Sequence, residues 1–328
     1  MRKTFMFAAA CCAANLAHGQ APPSVGQPQG INLGGTSFFD GITGTEPGWA
    51  YLATLRYGSA NAIKDNTGTD LPFFNRPKIR ATTLVNQFSY TSATRIGNGT
   101  LGFNALLPTV HLDGSFAQPG AVLQGGGTAL GDLIAGPVLQ FDMMPGPTGH
   151  PMFVHRLEFD VIFPTGRHDR QSDLNQGSGA YAVNPYWAAT LFLGPQWEVS
   201  WRLHYLYNFK NTDPASSTPT AWQGRPVTDT QAGQAAWINF AASYAITRHL
   251  HLGLNGYYFK QVSDSKANGA DMAGSREQVL GLGPGLMLEI DQQGGKKDVL
   301  WLNTYTESEV RNRARSRLVL QARYVHTF

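Results

Sequence analysis

Between Gln196 and Lys210 the chain is written on two faces. The odd positions Trp197, Val199, Trp201, Leu203, Tyr205, Tyr207 and Phe209 are all apolar, while the even set runs Gln196, Glu198, Ser200, Arg202, His204, Leu206, Asn208 and Lys210. A period of two separates the faces of a β-strand, whereas a helical period of 3.6 would mix them. With 42% apolar residues overall, seven consecutive apolar positions of one parity arise by chance at about 0.002 per starting point. This segment is a strand with one apolar and one polar face.

The same writing recurs. In Phe153–Phe163 the face Leu157, Phe159, Val161, Phe163 opposes Arg156, Glu158 and Asp160. In Ser316–Phe328, Leu318, Leu320, Ala322, Tyr324 and Phe328 oppose Arg317, Gln321 and Arg323. Weaker alternation marks 49–58, 79–90, 100–110, 131–141, 183–193, 235–246, 249–260, 277–290 and 298–306, which makes twelve strands. In 79–90 and 298–306 both faces are mixed, so parity alone leaves their register open. The links carry a second pattern. Those after the even-numbered strands are short, such as Gly194-Pro195 and Thr247-Arg248, and those after strands one, three, five, seven and nine are mostly long and polar, such as Ser59–Lys78 and Asn211–Gln234. All long loops therefore lie at one end of an up-and-down antiparallel sheet.

Alternation does not by itself say which face is wet. Twelve tilted strands enclose more volume than one apolar core fills, the polar faces carry both signs of charge, and aromatics crowd the strand ends as interfacial girdles do. Charged residues make up 14% of the chain, well below the roughly 25% of a soluble domain. No run approaches the ~18 apolar residues of a membrane helix. The expected fold is all-β, a twelve-stranded antiparallel up-and-down transmembrane β-barrel of the outer membrane spanning 49–328, since a closed sheet leaves no unpaired backbone in lipid.

The N-terminus fits export to that membrane. Arg2-Lys3, the apolar run Thr4–Leu16 and Ala17-His18-Gly19 read as a signal peptide over 1–19, cut after Gly19 or Ala21. Both cysteines, Cys11 and Cys12, lie inside it, so the mature chain has neither thiol nor disulfide. Without Arg2 and Lys3 the chain keeps 23 basic against 22 acidic residues, leaving no field to attract nucleic acid. Residues 20–48, with Pro22, Pro23, Pro28 and Pro47 among Gly and Gln, carry no period and form an irregular lead-in.

Ordered short motifs resemble those of the phenol meta-pathway degradation family of bacterial outer-membrane proteins. From Gly48 to Phe328 they are Gly131-Asp132, Gly136-Pro137, Phe163-Pro164-Thr165-Gly166, Asn184-Pro185, Asn208 with Asn211, Tyr257-Tyr258 with Gln261, Gly283-Pro284 and the terminal Phe328. The resemblance implies a transporter of aromatic or other small hydrophobic compounds. The alternative from another class is a non-transporting structural or adhesin-like barrel whose long loops bind external partners. Expected partners are the bilayer, a small hydrophobic or aromatic solute, and the barrel-assembly machinery through the last strand ending in Phe328.

No set of residues calls for an enzyme, a cofactor or a metal. His249 and His251 share a strand face but have no third ligand nearby in sequence. Ser200, His204 and Asn239 point inward on neighbouring strands, yet Ser200 and His204 lie ~13 Å apart by strand rise, too far for a nucleophile and its base. Gly125-Gly126-Gly127 and Gly281–Gly285 do not open a helix as a phosphate cradle must. The informative feature is charge on the inner faces: Arg56, Arg156, Glu158, Asp160, Glu198, Arg202, His204, Lys210, Arg317 and Arg323 are the expected lumen-lining residues. The stretch 20–48 exceeds the length needed to reach the first strand and carries Phe38-Phe39, which would be left in water outside a barrel. Two arrangements are open: residues around Asn32–Ile42 enter the lumen from the periplasmic side, as a plug against the Arg156/Arg202 wall, or the stretch is a disordered tail in the periplasm.

Overall fold

A computed structural model describes residues 24–44, 46–293 and 296–328; the expected signal peptide over 1–19 lies outside the described residues. The chain forms twelve long antiparallel strands: β1 Gly48–Ile63, β2 Lys78–Ile96, β3 Gly99–Ser115, β4 in two pieces (Gly127–Leu130 and Leu133–Phe141), β5 Pro151–Phe163, β6 Ala182–Phe192, β7 Trp197–Asn208, β8 Ala235–Ala245, β9 Leu250–Gln261, β10 Gln278–Asp291, β11 Lys297–Arg311 and β12 Ala314–Thr327. Every strand pairs with its neighbours in sequence, and β1 closes the sheet on β12 from Ala50↔Thr327 to Ile63↔Ala314. Closure leaves no edge, the condition for strands in lipid.

In β7 the even residues Glu198, Ser200, Arg202, His204 and Asn208 are buried inside, while Trp197, Leu203 and Tyr205 are 41–51% exposed outside. The apolar face is the outer one. Aromatic pairs gather near both ends of the wall. Trp49–Tyr90 and Trp197–Tyr244, each at 4.9 Å, sit by the short turns, and Phe163–Tyr181 and Tyr207–Phe209 by the long loops. Such rings suit the two membrane interfaces, where one end is apolar and the other wet.

Three of the motif prolines interrupt the wall. The ladder skips Gly136-Pro137 between β4 and β5, Asn184-Pro185 between β6 and β7, and Gly283-Pro284 between β10 and β11, because proline has no N–H to donate. At the second break Asn184 Nδ2 donates to the Tyr205 carbonyl at 2.9 Å. Asp132, at the break within β4, accepts from the amides of Gly166 and Ser178 at 3.0 and 2.8 Å. The motif Phe163–Gly166 is thus tied to the wall by a carboxylate.

The two open registers resolve inside the lumen. β2 turns Ile79, Ala81, Thr83, Val85 and Gln87 onto the cavity, and β11 turns in Trp301, Asn303, Tyr305 and Glu307. Their inner faces are partly apolar because they pack against chain rather than water. Small ladders also form in the long loops, at Ala221–Trp222 with Arg225–Pro226 and at Thr230–Gln231 with Lys266–Ala267.

Candidate functional site

Residues 24–44 run inside the barrel along its length. At the long-loop mouth the Ser24 amide donates to the Ser217 carbonyl. Just below, Gln27 is held by Asn208 Nδ2 at 2.9 Å, by Gln261 Oε1 at 2.9 Å and by the Glu277 carboxylate, which accepts from its backbone N–H at 3.3 Å. Glu277 lies in the loop before β10, and burial pushes its carboxyl above the ordinary range against the opposing pull of Arg313.

At mid-barrel the Asn32 carbonyl accepts from Trp237 Nε1 and Asn239 Nδ2, both at 3.0 Å. The Gly34 amide donates to Asn239 Oδ1 at 2.9 Å, and its carbonyl accepts from Tyr305 Oη at 2.7 Å and Gln321 Nε2 at 2.9 Å. Arg56 donates to the Leu33 carbonyl. Gly34 has φ +66°, and a Cβ there would lie 2.6 Å from the Tyr257 ring, so conformation and space both demand glycine.

Toward the short-turn end Phe38 is 1% exposed and clusters with Met287 and Trp301, whose Nε1 donates to the Phe38 carbonyl at 3.2 Å. Phe39 meets Phe192 and His251. Asp40 is gripped by Arg202 through Nε at 3.0 Å and Nη2 at 2.5 Å, while Arg156 lies 3.6 Å from its carboxylate and donates to its backbone carbonyl. A two-pronged guanidinium–carboxylate pair fixes direction as well as charge. Gly41 donates to Thr190 Oγ1 at 2.9 Å, and Gln140 bridges the Gly41 carbonyl and the Thr43 amide.

Of the ten expected lumen residues, eight line the interior. Arg156, Glu158, Asp160, Glu198, Arg202 and His204 are each at most 7% exposed. Arg56 lies over the Tyr257 ring and Arg323 over Trp301. Glu158 takes Arg156 at 3.4 Å and Asn104 Nδ2 at 2.6 Å, and Glu198 accepts from Ser243 at 2.6 Å.

Two do not line it. Lys210 lies past the end of β7, where parity no longer holds, and pairs with Asp229 at 3.4 Å with its side chain 57% exposed. Arg317 is exposed beside a β-bulge where Ser59 pairs with Leu318 but Ala60 with Ser316; the extra residue resets which side chains face inward. The plug also differs from expectation, since not only Asn32–Ile42 but all of 24–44 lies within, with its first residues at the long-loop mouth. Sequence reasoning missed Asp40, the one charged residue between Gln20 and Gly44, and that solitary charge was the available signal.

Ser200, His204 and Asn239 serve other contacts. Ser200 Oγ bonds Thr190 at 2.8 Å, His204 Nδ1 faces Asn184 Oδ1 at 3.0 Å, and Asn239 holds Asn32 and Gly34. His249 lies 3.5 Å from Asp291 by a short turn. Beside the threaded segment remains a cavity of about 800 Å³. It opens among the long loops at His168, Ser217 and Asn312, runs past Thr83, Val85, Leu106 and Pro108, and reaches no further along the segment than Thr36. Below Thr36, Phe38 and Asp40 are buried against the wall.

Residues 60–324 match the family model described as "Putative MetA-pathway of phenol degradation". The chain belongs to this family. No curated protein matches it by sequence. Among solved structures it is similar to the COG4313 outer membrane channel from Pseudomonas putida F1, at 16% identity and a TM-score of 0.73 over 89% of this chain and 100% of that one. Weaker likenesses are the transport unit of the autotransporter AIDA-I from Escherichia coli, at 9% identity, TM-score 0.48, 88% of this chain and 92% of that one, and a Pseudomonas aeruginosa FadL homologue, at 10% identity, TM-score 0.41, 94% and 100%. The first likeness gives this family member the fold of an outer-membrane channel. Its motif residues Asn208, Gln261 and Tyr257 are those that touch the threaded segment.

Proposed function

We propose that the protein is an outer-membrane channel that admits small hydrophobic or aromatic compounds, with its N-terminal segment as the gate. The observation that carries this reading is the lumen itself: a cavity open to the long-loop mouth reaches no further along the segment than Thr36, and beyond it Asp40 of the segment is paired with Arg202 of the wall. Outer-membrane barrels hold their long loops outside and short turns in the periplasm, so solute enters from outside and leaves when the segment shifts. The 60–324 family match supports the solute class. A signal peptide over 1–19 would export the chain, and the exposed Phe328 at the end of β12 would present it to the assembly machinery.

Uptake by an intact strain and a deletion strain on a panel of aromatic carbon sources tests the solute class. Slower uptake by the deletion strain is expected, and equal uptake throughout counts against the proposal. Deleting residues 22–44 should raise single-channel conductance. A correctly assembled barrel that stays silent with and without the segment would favour a structural scaffold with partner-binding loops.

A further inference from the structure

The basic residues of the outer wall are gathered on one side. Of lysines and arginines, strands β3–β8 carry only Arg156 and Arg202, and both point inside. The long-loop ends of β9–β12, β1 and β2 carry Lys260, Arg311, Arg315, Arg317, Lys78 and Arg80. Ile79, Ala60 and Ser316 form one row across β2, β1 and β12 and line the cavity. Lys78, Arg315 and Arg317, each one position off that row, therefore point outward. Across β1, Lys78 stands opposite Arg315 and Arg80 opposite Arg317 to within one residue, which leaves about 10 Å between their backbones. Further round, Lys260 and Arg311 flank Gln278 in one row of β9, β10 and β11, and they line one surface hollow of about 340 Å³.

Arg80 pairs with Asp113 at 3.0 Å, while the other five enter no ion pair among the described residues. The one carboxylate that these six strands turn outward at this end, Glu309, accepts from Gln278 Nε2 at 3.4 Å. At the short-turn end of the same strands the exposed Arg95 and Lys297 are each paired, with Asp142 and Glu289. Just below the basic arc Leu84, Leu318 and Leu320 are 39–43% exposed on the outer face. The arc thus lies where the lipid-facing band ends on the long-loop side, at the level of the outer head groups, and unpaired cations at that level attract anionic ones. We infer that this arc docks the phosphorylated glycolipid of the outer leaflet. Its phosphates meet the Lys78–Arg317 group and the Lys260–Arg311 hollow, and its acyl chains lie on the leucines beneath. A zwitterionic phospholipid brings its own cation and leaves the five unmatched. An acidic protein would meet the charges but not the leucines, which face lipid chains. The inference rests on the outer-membrane placement of the barrel and is independent of what passes through it.

The test is native mass spectrometry of the full mature protein in detergent with three probes: lipid A, which is a diphosphorylated and acylated glucosamine disaccharide, enzymatically dephosphorylated lipid A, and phosphatidylglycerol. Lipid A should be retained at least about tenfold better than either of the others. The triple variant Lys78→Gln/Arg315→Gln/Arg317→Gln should lose that preference, and Lys260→Gln/Arg311→Gln should weaken it independently. Arg95→Gln/Lys297→Gln, at the other rim, should keep it, with the heat-modifiable migration of a folded barrel in all three. Equal retention of lipid A and its dephosphorylated form, or full preference in both the triple and the double variant, would overturn the site. Phosphatidylglycerol retained as well as lipid A would overturn the glycolipid in favour of any anionic lipid, and a dimer in place of the lipid adduct would make the arc an interface between two copies. Liposome swelling by the triple variant should match the parent. A barrel that retains lipid A but admits no solute would remove the channel and keep this site, whereas normal permeation with unselective retention would do the reverse.

Discussion

Asp40 is the test residue for the gate, because it is the only charge carried by the segment inside the lumen and meets two guanidinium groups there. With Asp40→Ala, Arg202 keeps its burial at 4% exposed but loses its bidentate partner. Removing one member of a buried pair costs about 3–5 kcal/mol because the other charge is stranded, which at about 1.4 kcal/mol per decade shifts the docked–undocked balance by about two to four orders of magnitude. The contacts above Ser37 persist, since Gln27, Asn32 and Gly34 are held by other strands. The variant therefore frees the short-turn half of the segment while its mouth end stays anchored. In planar bilayers Asp40→Ala should show frequent openings where the parent opens rarely, and Asp40→Asn, which keeps the shape and loses the charge, should fall between. The double variant Asp40→Ala/Arg202→Ala should be less perturbed than the sum of the singles. Openings identical to the parent in all three, in barrels that migrate as folded, would refute the claim that this pair holds the gate.

Gly34→Val places a branched side chain at φ +66° against Tyr257 and Tyr305; protease cleavage within 24–44 should become faster while the barrel's unfolding midpoint moves little. On the outer wall Leu203→Arg should cost about 2–4 kcal/mol of folding stability in lipid vesicles, whereas Thr83→Arg, facing the cavity, should cost less than about 1 kcal/mol by the same denaturant titration. Burial raises the Glu277 carboxyl above its unfolded value near 4.5, so the fold favours its protonated form, and stability should fall as pH rises from the unfolded value through the higher folded one, then level off. Glu277→Gln should remove that slope in equilibrium unfolding, and an unchanged slope would contradict it. Lys210→Ala and Arg317→Ala should leave ion selectivity as it is, while Arg56→Ala, on the cavity wall, should shift it measurably in reversal-potential recordings.

The wall was legible in the sequence because lipid imposes a one-sided pattern on every spanning strand, and all twelve strands fall where alternation places them. Parity weakened in β2 and β11, since their inner faces meet the threaded segment and the cavity, so that Trp301, Tyr305 and Val85 are apolar on the lumenal side. It misled at Arg317, where one extra residue in the ladder resets the faces, and at Lys210, where the strand has already ended. The threaded segment was legible only as a length and an aromatic pair. Its anchors are long-range hydrogen bonds, such as Gln27 to Asn208 and Asp40 to Arg202, and no local periodicity encodes a partner more than 150 residues away. Strands reach beyond the expected bounds, as β11 does to Arg311, where Ser308, Glu309 and Arg311 are exposed and the alternation that lipid imposes is no longer written.

The absence of cysteine after residue 19 allows the gate to be locked. Ser37 and Asn255 meet at 3.4 Å between the segment and the β9 wall, so a Ser37→Cys/Asn255→Cys protein should form a disulfide under oxidation. Solute permeation into liposomes by this protein, oxidised and then reduced, tests whether the threaded segment gates the lumen. Permeation should stop on oxidation and return with a reductant, and continued permeation through the fully crosslinked protein would rule the gate out.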